Sequence, residues 1–224
     1  MHNEGRRAGP CVRSVEAACR KITPSFEIIL AEDGSRDDTY DAIRRIAKGR
    51  KHIIVMHSAK KLGRGRALTR AIRKARGGIT AYMDADLASN LGHLGQLISR
   101  VRGGAAIATG SRLMPGSRTK RGLKREVASR GFNLLVRTVL GSRLHDHQCG
   151  FKAFSTKQIL PLLGEIEDTH WFWDTEMLVR AQRKGLRVDE IPIEWSEGAG
   201  TTVRLTNDIL YMGRRILELK RRIG

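Results

Sequence analysis

Short apolar runs recur along the chain, each ending in a polar turn and each followed by a stretch with helical spacing. "SFEIILAEDGSRDDT" reads as a buried strand, Phe26 to Leu30, running into an acidic turn, with Asp37 or Asp38 placed to cap a helix from Thr39 to Lys48. "HIIVMHS" is a second strand. "KKLGRGRALTRAIRKARGG" supplies a glycine-containing turn and a basic helix closed by Gly77 and Gly78. "ITAYMDADL" is a third strand, a helix follows near His93 to Val101, and "AAIATGSR" is a fourth strand. Alternating strands and helices predict an α/β fold with a largely parallel sheet, in which ligands gather at the carboxyl ends of the strands. Glu32-Asp33, Asp84-Asp86 and the Gly110-Ser111-Arg112 turn all fall at such ends.

Asp84 and Asp86 are one residue apart, so in an extended chain both side chains point to one face. Carboxylates that close repel each other. Solvent relieves the repulsion in an ordinary turn; otherwise a divalent cation cancels it, since hard carboxylate oxygens are its natural ligands.

Length and composition narrow the picture. The 224 residues, 40% of them hydrophobic, suffice for one substantial core with appendages and not for two domains. Cys11, Cys19 and Cys149 form no CxxC pair and no even set, so neither a disulfide framework nor a zinc site is expected, and a reducing, cytosolic setting is the default. "MHNEGRRAGPCVRS" lacks the apolar core of a secretion signal, and no window reaches the roughly eighteen apolar residues of a membrane span.

A formal net charge of +19 calls for an anionic partner: nucleic acid, a membrane surface or a phosphorylated substrate. From Arg118 to Arg143 eight Lys or Arg residues and one acid, Glu126, interleave with Leu123, Val127, Phe132, Leu134, Leu135, Val139 and Leu140. That spacing suggests a helical surface meeting both phosphate and hydrocarbon. Nearer the C-terminus, Leu205, Ile209, Met212, Ile216, Leu219 and Ile223 form one helical stripe flanked by Arg214, Arg215, Lys220, Arg221 and Arg222. The stripe either packs on the domain or, with its basic cluster, docks on an anionic membrane.

"AEDGSRDDT", "KKLGRGRAL", "MDADL", "GSR", "DHQCGFKAF", "FWDTEML" and "RVDEIPIEW", in that order, resemble a family 2 glycosyltransferase of the GT-A fold, nearest the dolichyl-phosphate (polyprenyl-phosphate) mannose and glucose synthases. The likeness runs from His2 to about Arg215. It implies a Rossmann-like sandwich with a mostly parallel central sheet, a domain over 1–204 with an acceptor-facing amphipathic segment at about 118–144, and a basic amphipathic helix over 205–224. The implied reaction is inverting transfer of glucose or mannose from a UDP- or GDP-sugar to a polyprenyl phosphate, dependent on Mg²⁺ or Mn²⁺, at the cytoplasmic face of a membrane and with no nucleic acid as partner.

Residue by residue, the likeness implies that Asp33 contacts the nucleotide base, that Asp86 ligates the metal and that Asp84 is its nucleotide-side neighbour and second metal carboxylate. Asn3 and Glu4 close the first nucleotide-binding motif, and Gly63-Arg64-Gly65 is either a phosphate-approach turn or a plain one. Arg112, Arg125 and Ser129 match positions that grip the acceptor phosphate or the diphosphate. Asp146 matches an acid beside the acceptor, with positioning its first role and catalytic base its second; its neighbours His145 and His147 lack a third metal ligand. Trp171, Phe172 and Trp173 either stack a sugar, meet a membrane interface or pack the core, and Asp174 and Glu176 cap or line the helix below the sugar.

The sequence also departs from the family. An apolar strand normally precedes the motif that survives here as His2-Asn3-Glu4, and losing it leaves backbone groups on both neighbouring strands unpaired. We expect a start further upstream rather than a degenerate remnant. Ala88 stands where some relatives have a metal-neighbouring glutamine, and Glu197 stands where mannose-type members often have arginine, which leans towards the glucosyl branch. Two alternatives remain: an inactive, truncated relative, and a basic nucleic-acid-binding protein. The charge permits the latter, but aromatic residues make up only 5% and no recognised RNA or DNA module is present.

Overall fold

The four apolar runs fold as β1 (Ile28–Ala31), β2 (Ile53–Met56), β3 (Ile79–Met83) and β4 (Ile107–Ser111), joined by α2 (Thr39–Ala47), α3 (Arg64–Lys74) and α4 (Leu94–Arg102). The computed structural model describes residues 1–197 and 205–223. Ahead of β1 lies α1 (Gly5–Arg20); beyond β4 come β5 (Arg118–Lys120), α5 (Leu123–Leu140), β6 (Phe151–Ser155), α6 (Thr156–Leu162), α7 (Trp173–Arg183), β7 (Val188–Pro192), β8 (Glu194–Ser196) and α8 (Leu205–Ile223). Asp37 serves α2 as expected, its carboxylate accepting the Thr39 N–H at 3.0 Å. Gly141, at φ 69°, takes the left-handed position that ends α5.

The protein is α/β, and three of its five strand pairings, β1–β2, β4–β7 and β5–β8, are parallel. Strand β6 enters antiparallel between β3 and β4, giving the order β3-β6-β4-β7. The core on the sheet is built from Ala106, Ile107, Phe154, Trp173, Met177 and Leu178 on one cluster and Leu94, Leu97, Phe151, Ala153 and Ile191 on another.

Strands β1 and β3 are not paired with each other. Every residue of both lines one cavity of ≈ 1830 Å³, walled also by Val12 and Val15 of α1 and by Leu94 and Ile98 of α4. At its end Met1 is already in a parallel ladder with β1: its N–H group donates to Ala31 O, and Asp33 N–H donates to Met1 O at 2.9 Å. The slot therefore lies where the resemblance places the strand before His2-Asn3-Glu4. Burial lowers the pKa of the Met1 ammonium, against the opposing pull of Asp33 and Glu32.

Helix α8 packs on α5 and α7. Met212, Ile216 and Leu219 are buried with Val136, Leu140, Phe172 and Val179. This part of the C-terminal stripe thus faces the domain rather than a membrane; the side chains of Leu205 and Ile209, and Gly224, lie outside the described residues. Two of the basic residues turn inward as well, Arg215 to Asp168 and Arg222 to Glu167 and Glu176. On its outer side α8 presents Leu210 and Leu217, 77% and 58% exposed, with Arg214 between them and Lys220 and Arg221 beyond.

Candidate active site

Asp84 and Asp86 sit just past the end of β3, in a turn that bends at Leu87, whose φ is +51°. The turn is tied down by Asp84 N–H to Gly150 O at 3.2 Å. Glycine at 150 leaves the Asp84 carboxylate its place: a Cβ there would lie 1.9 Å from Asp84 Oδ2 and push it aside. Asp86 Oδ1 accepts the Ala88 N–H at 3.1 Å and keeps its other oxygen for solvent or a ligand. Two carboxylates on one strand end fit Mg²⁺ or Mn²⁺ by donor type. Among the described residues no group of three or more His, Cys, Asp or Glu is arranged to hold a metal. The protein thus offers a partial shell, which suits an ion that arrives with its own phosphate oxygens.

Met1, His2, Asn3, Glu4 and Asp33, which the resemblance assigns to the nucleotide side or its flank, line the same cavity. Asn3 takes a φ of +56° and its Oδ1 accepts the Arg36 N–H at 2.9 Å. Glu4 receives Arg7 at 3.2 Å, while its N–H reaches Thr39 Oγ1 at 2.7 Å. Asp33 is buried and its oxygens accept Leu62 N–H (2.7 Å) and Gly63 N–H (2.9 Å). The glycine turn is therefore shaped from inside. Gly63 sits at φ +102°, and a Cβ on it would strike Thr169 O at 2.4 Å; a Cβ on Gly65 would strike the Trp173 side chain at 2.6 Å. Gly65 and Arg66 give their N–H groups to Thr169 O. These N–H groups serve the protein, and the group the turn presents is the Arg64 side chain.

Asp146, which the resemblance places beside the acceptor, is fully buried and accepts four donors: Arg112 Nε (2.7 Å), Nη2 (2.9 Å) and N–H (3.0 Å), and Gln148 N–H (3.1 Å). Burial opposes its ionisation, but Arg112 outweighs burial and holds the carboxyl well below the usual range. Arg112, stacked over Trp195 at 5.7 Å, lines the cavity. Arg125, paired with Glu197, and Ser129 line it too, and Ser129 Oγ has no hydrogen-bond partner among the described residues. Sequence reasoning missed Arg121. Its Nε is held by Glu126 at 2.5 Å, its Nη2 is buried without a partner among the described residues, and it lines the cavity beside Arg125. His147 is a structural histidine: its ring bonds Asn133 and Ser142, and burial lowers its pKa to about 3.

Below the aspartates lies a second group the sequence did not disclose. Asp174, in the first turn of α7, receives Tyr82 Oη, Lys152 Nζ and Arg64. Of the aromatic triplet, Phe172 and Trp173 are core, Trp173 donating to Thr69 Oγ1 at 2.9 Å, whereas Trp171 is exposed at the cavity.

The family model for glycosyl transferase family 2 matches residues 1–159, and the chain belongs to that family. It is 48% identical over 220 residues to glycosyltransferase AglD of Haloferax volcanii, a match covering 97% of this chain and 35% of AglD. It is 29% identical over 220 residues to the dolichyl-phosphate beta-glucosyltransferase of Saccharomyces cerevisiae, covering 89% of this chain and 66% of that one. The chain thus spans about a third to two thirds of these relatives. Glucosyl-3-phosphoglycerate synthase from Mycobacterium tuberculosis, solved with Mn²⁺, UDP and glucosyl-3-phosphoglycerate, shares the fold with a TM-score of 0.66 at 19% identity, over 100% of this chain and 77% of that one. The fold is GT-A, and the family match covers most of the chain.

Proposed function

We propose that this glycosyltransferase moves glucose or mannose from a UDP- or GDP-sugar to a polyprenyl phosphate such as dolichyl phosphate, with inversion at the anomeric carbon and with Mg²⁺ or Mn²⁺ as cofactor. The observation that carries the reading is that one cavity is lined by three kinds of chemistry: the acids Asp33, Asp84 and Asp86, the polar and basic group Arg112, Arg121, Arg125 and Ser129, and the apolar Phe132, Leu135 and Leu210. The acids suit a metal-bound nucleotide, the arginines suit a phosphate, and the apolar side chains suit a hydrocarbon tail. The dolichyl-phosphate glucosyltransferases among the relatives support the same acceptor.

A divalent ion at Asp84 and Asp86 would neutralise charge on the departing diphosphate. The acceptor phosphate, with a second pKa near 6, is largely anionic at neutral pH and needs little proton removal. Asp146 accordingly acts by holding the Arg112 fork in place, a positioning role that its burial favours. Leu123, Val127 and Leu134 on α5 and Leu210 and Leu217 on α8 are exposed, and with Lys124, Arg130, Arg214, Lys220 and Arg221 they support peripheral contact with an anionic bilayer from its cytoplasmic side. Among the described residues no helix is long and apolar enough to cross a membrane.

The test is transfer of labelled sugar from UDP-glucose, GDP-mannose and other nucleotide sugars to dolichyl phosphate, with and without EDTA. Lipid-linked product that needs the metal supports the reading. Turnover onto a water-soluble acceptor alone, or turnover unaffected by EDTA, overturns it.

A further inference from the structure

Arg64 stands at the first turn of α3, and its guanidinium bridges two acids. Nη1 pairs with Asp174, and Nη2 reaches Asp84 Oδ1 at 3.1 Å. Its central carbon, Cζ, lies over the rings of Tyr82 and Trp171, 5.5 and 5.4 Å from their centres. The two acids are unlike. Asp174 is 2% exposed and also holds Tyr82 Oη and Lys152 Nζ, whereas Asp84 is 49% exposed at the cavity. Burial alone would raise the Asp174 carboxyl, but Lys152, Arg64 and Tyr82 outweigh it and keep it ionised. One end of Arg64 is therefore rooted in a buried anion, and the other end reaches a carboxylate that is open to exchange.

We propose that Arg64 is the built-in counter-cation of Asp84 and makes the aspartate pair accept a divalent ion only together with its nucleotide. The proposal rests on the metal-nucleotide reading of the site. Arg64 and Lys152 balance Asp174 and Asp84, so a dication arriving alone competes with a fixed guanidinium for Asp84 and is then repelled by it. A nucleoside diphosphate reverses the sign, because its excess negative charge offers Arg64 a new partner as Asp84 turns to the metal. Arg64 thus couples the two ligands: each binds better with the other present, and the coupling is reciprocal. The rings of Tyr82 and Trp171 keep the guanidinium at the site while its partner changes.

The experiment is Mn²⁺ titration followed by electron paramagnetic resonance, without nucleotide and with saturating UDP or GDP, on the wild type, R64K and R64M, with circular dichroism to verify folding. In the wild type, nucleotide should tighten Mn²⁺ at least 30-fold. R64M should bind Mn²⁺ alone about 10-fold tighter than wild type yet gain little from nucleotide, and R64K should retain most of the coupling. R64Q replaces R64M if the latter fails to fold. R64M binding Mn²⁺ alone equally or more weakly, with the nucleotide effect intact, overturns the counter-cation role. A wild type that binds no Mn²⁺ even with nucleotide overturns the metal-nucleotide reading itself.

Discussion

Replacing Asp146 by asparagine removes one charge and almost no volume, so its cost isolates what the carboxylate does for Arg112. Two of its four accepted hydrogen bonds come from the guanidinium, at 2.7 and 2.9 Å, and the side chains of both residues are largely or wholly buried. In D146N the guanidinium faces an amide that keeps a single acceptor oxygen. Breaking a buried pair from one side costs about 3–5 kcal/mol. For a chain of this size each kcal/mol lowers Tm by about 2–4 °C, so D146N should melt about 6–20 °C below the wild type. R112M should cost a similar amount, whereas the R112M/D146N double variant, with no orphaned charge, should fall short of the summed losses by at least about 2 kcal/mol. Urea melts of the four proteins at pH 7 measure this coupling. Losses that add within about 0.5 kcal/mol would refute the pairing argument. The folded-state pKa of Asp146 lies below its usual 3.8. Its contribution is therefore complete above about pH 4 and fades as pH falls through the folded value, a limb that D146N should lack. In the transfer assay, a positioning role raises KM for the acceptor phosphate and leaves the shape of the pH–rate profile unchanged; a catalytic base would remove the profile's acidic limb.

Three further outcomes follow from the geometry. D86A should lose transfer by at least about 100-fold with its urea midpoint nearly unchanged, because among the described residues the carboxylate makes a single local hydrogen bond; near wild-type turnover would sink the metal assignment. Five aliphatic residues joined ahead of Met1 should enter the slot between β1 and β3, burying side chains worth about 1.5–3 kcal/mol each against the entropy of ordering them, for a net gain of at least about 2 kcal/mol in urea. In a chain starting at Met1 the amine titrates below its unfolded value of 8.0, so stability should rise as pH climbs towards 8, and the extension should abolish that slope; an unchanged midpoint and slope would refute the slot reading. Vesicles containing anionic lipid should co-sediment the protein in a salt-sensitive way, less so for L123S/V127S and K220E/R221E; equal binding to neutral vesicles would refute the membrane contact.

The pattern of apolar runs placed β1 to β4, α2, α3 and α4 within a few residues, because each is a local signal: a short aliphatic strand, a turn, an amphipathic helix. Helix α1 is not announced by the apolar pattern. Its buried Ala8, Cys11, Val12 and Val15 have helical spacing, but Gly5, Gly9 and Pro10 are poor helix formers, its first turn holds no acid, and its N-cap residue, Glu4, makes no side-chain cap. The C-terminal stripe is legible as a helix but not as to partner, since an apolar stripe looks the same whether protein or lipid covers it. Met212, Ile216 and Leu219 found protein only because α5 and α7 present a matching face.

The apolar run of β3 put Asp84 and Asp86 at one strand end, where the chain turns instead of staying extended, so strand parity is informative one step further back. Tyr82 shares the face of Asp84, and in the antiparallel ladder Tyr82 is paired with Lys152, which on its other side is paired with Thr109. A lysine within "FKAF" is a charge inside an apolar strand, and a buried charge demands a partner. The partner, Asp174, is 22 residues further along the chain and on a helix, so no local pattern announces it. The consequence is mechanical. Lys152 and Tyr82 fix Asp174, Asp174 fixes one end of Arg64, and Arg64 meets Asp84 at the surface. The exposed aspartate is thereby tied to the middle of the sheet through side chains from β3, β6, α3 and α7. A ligand that takes Asp84 away from Arg64 changes the charge balance of a buried network, so on the proposed reading the choice between metal alone and metal with nucleotide is made below the site as well as in it.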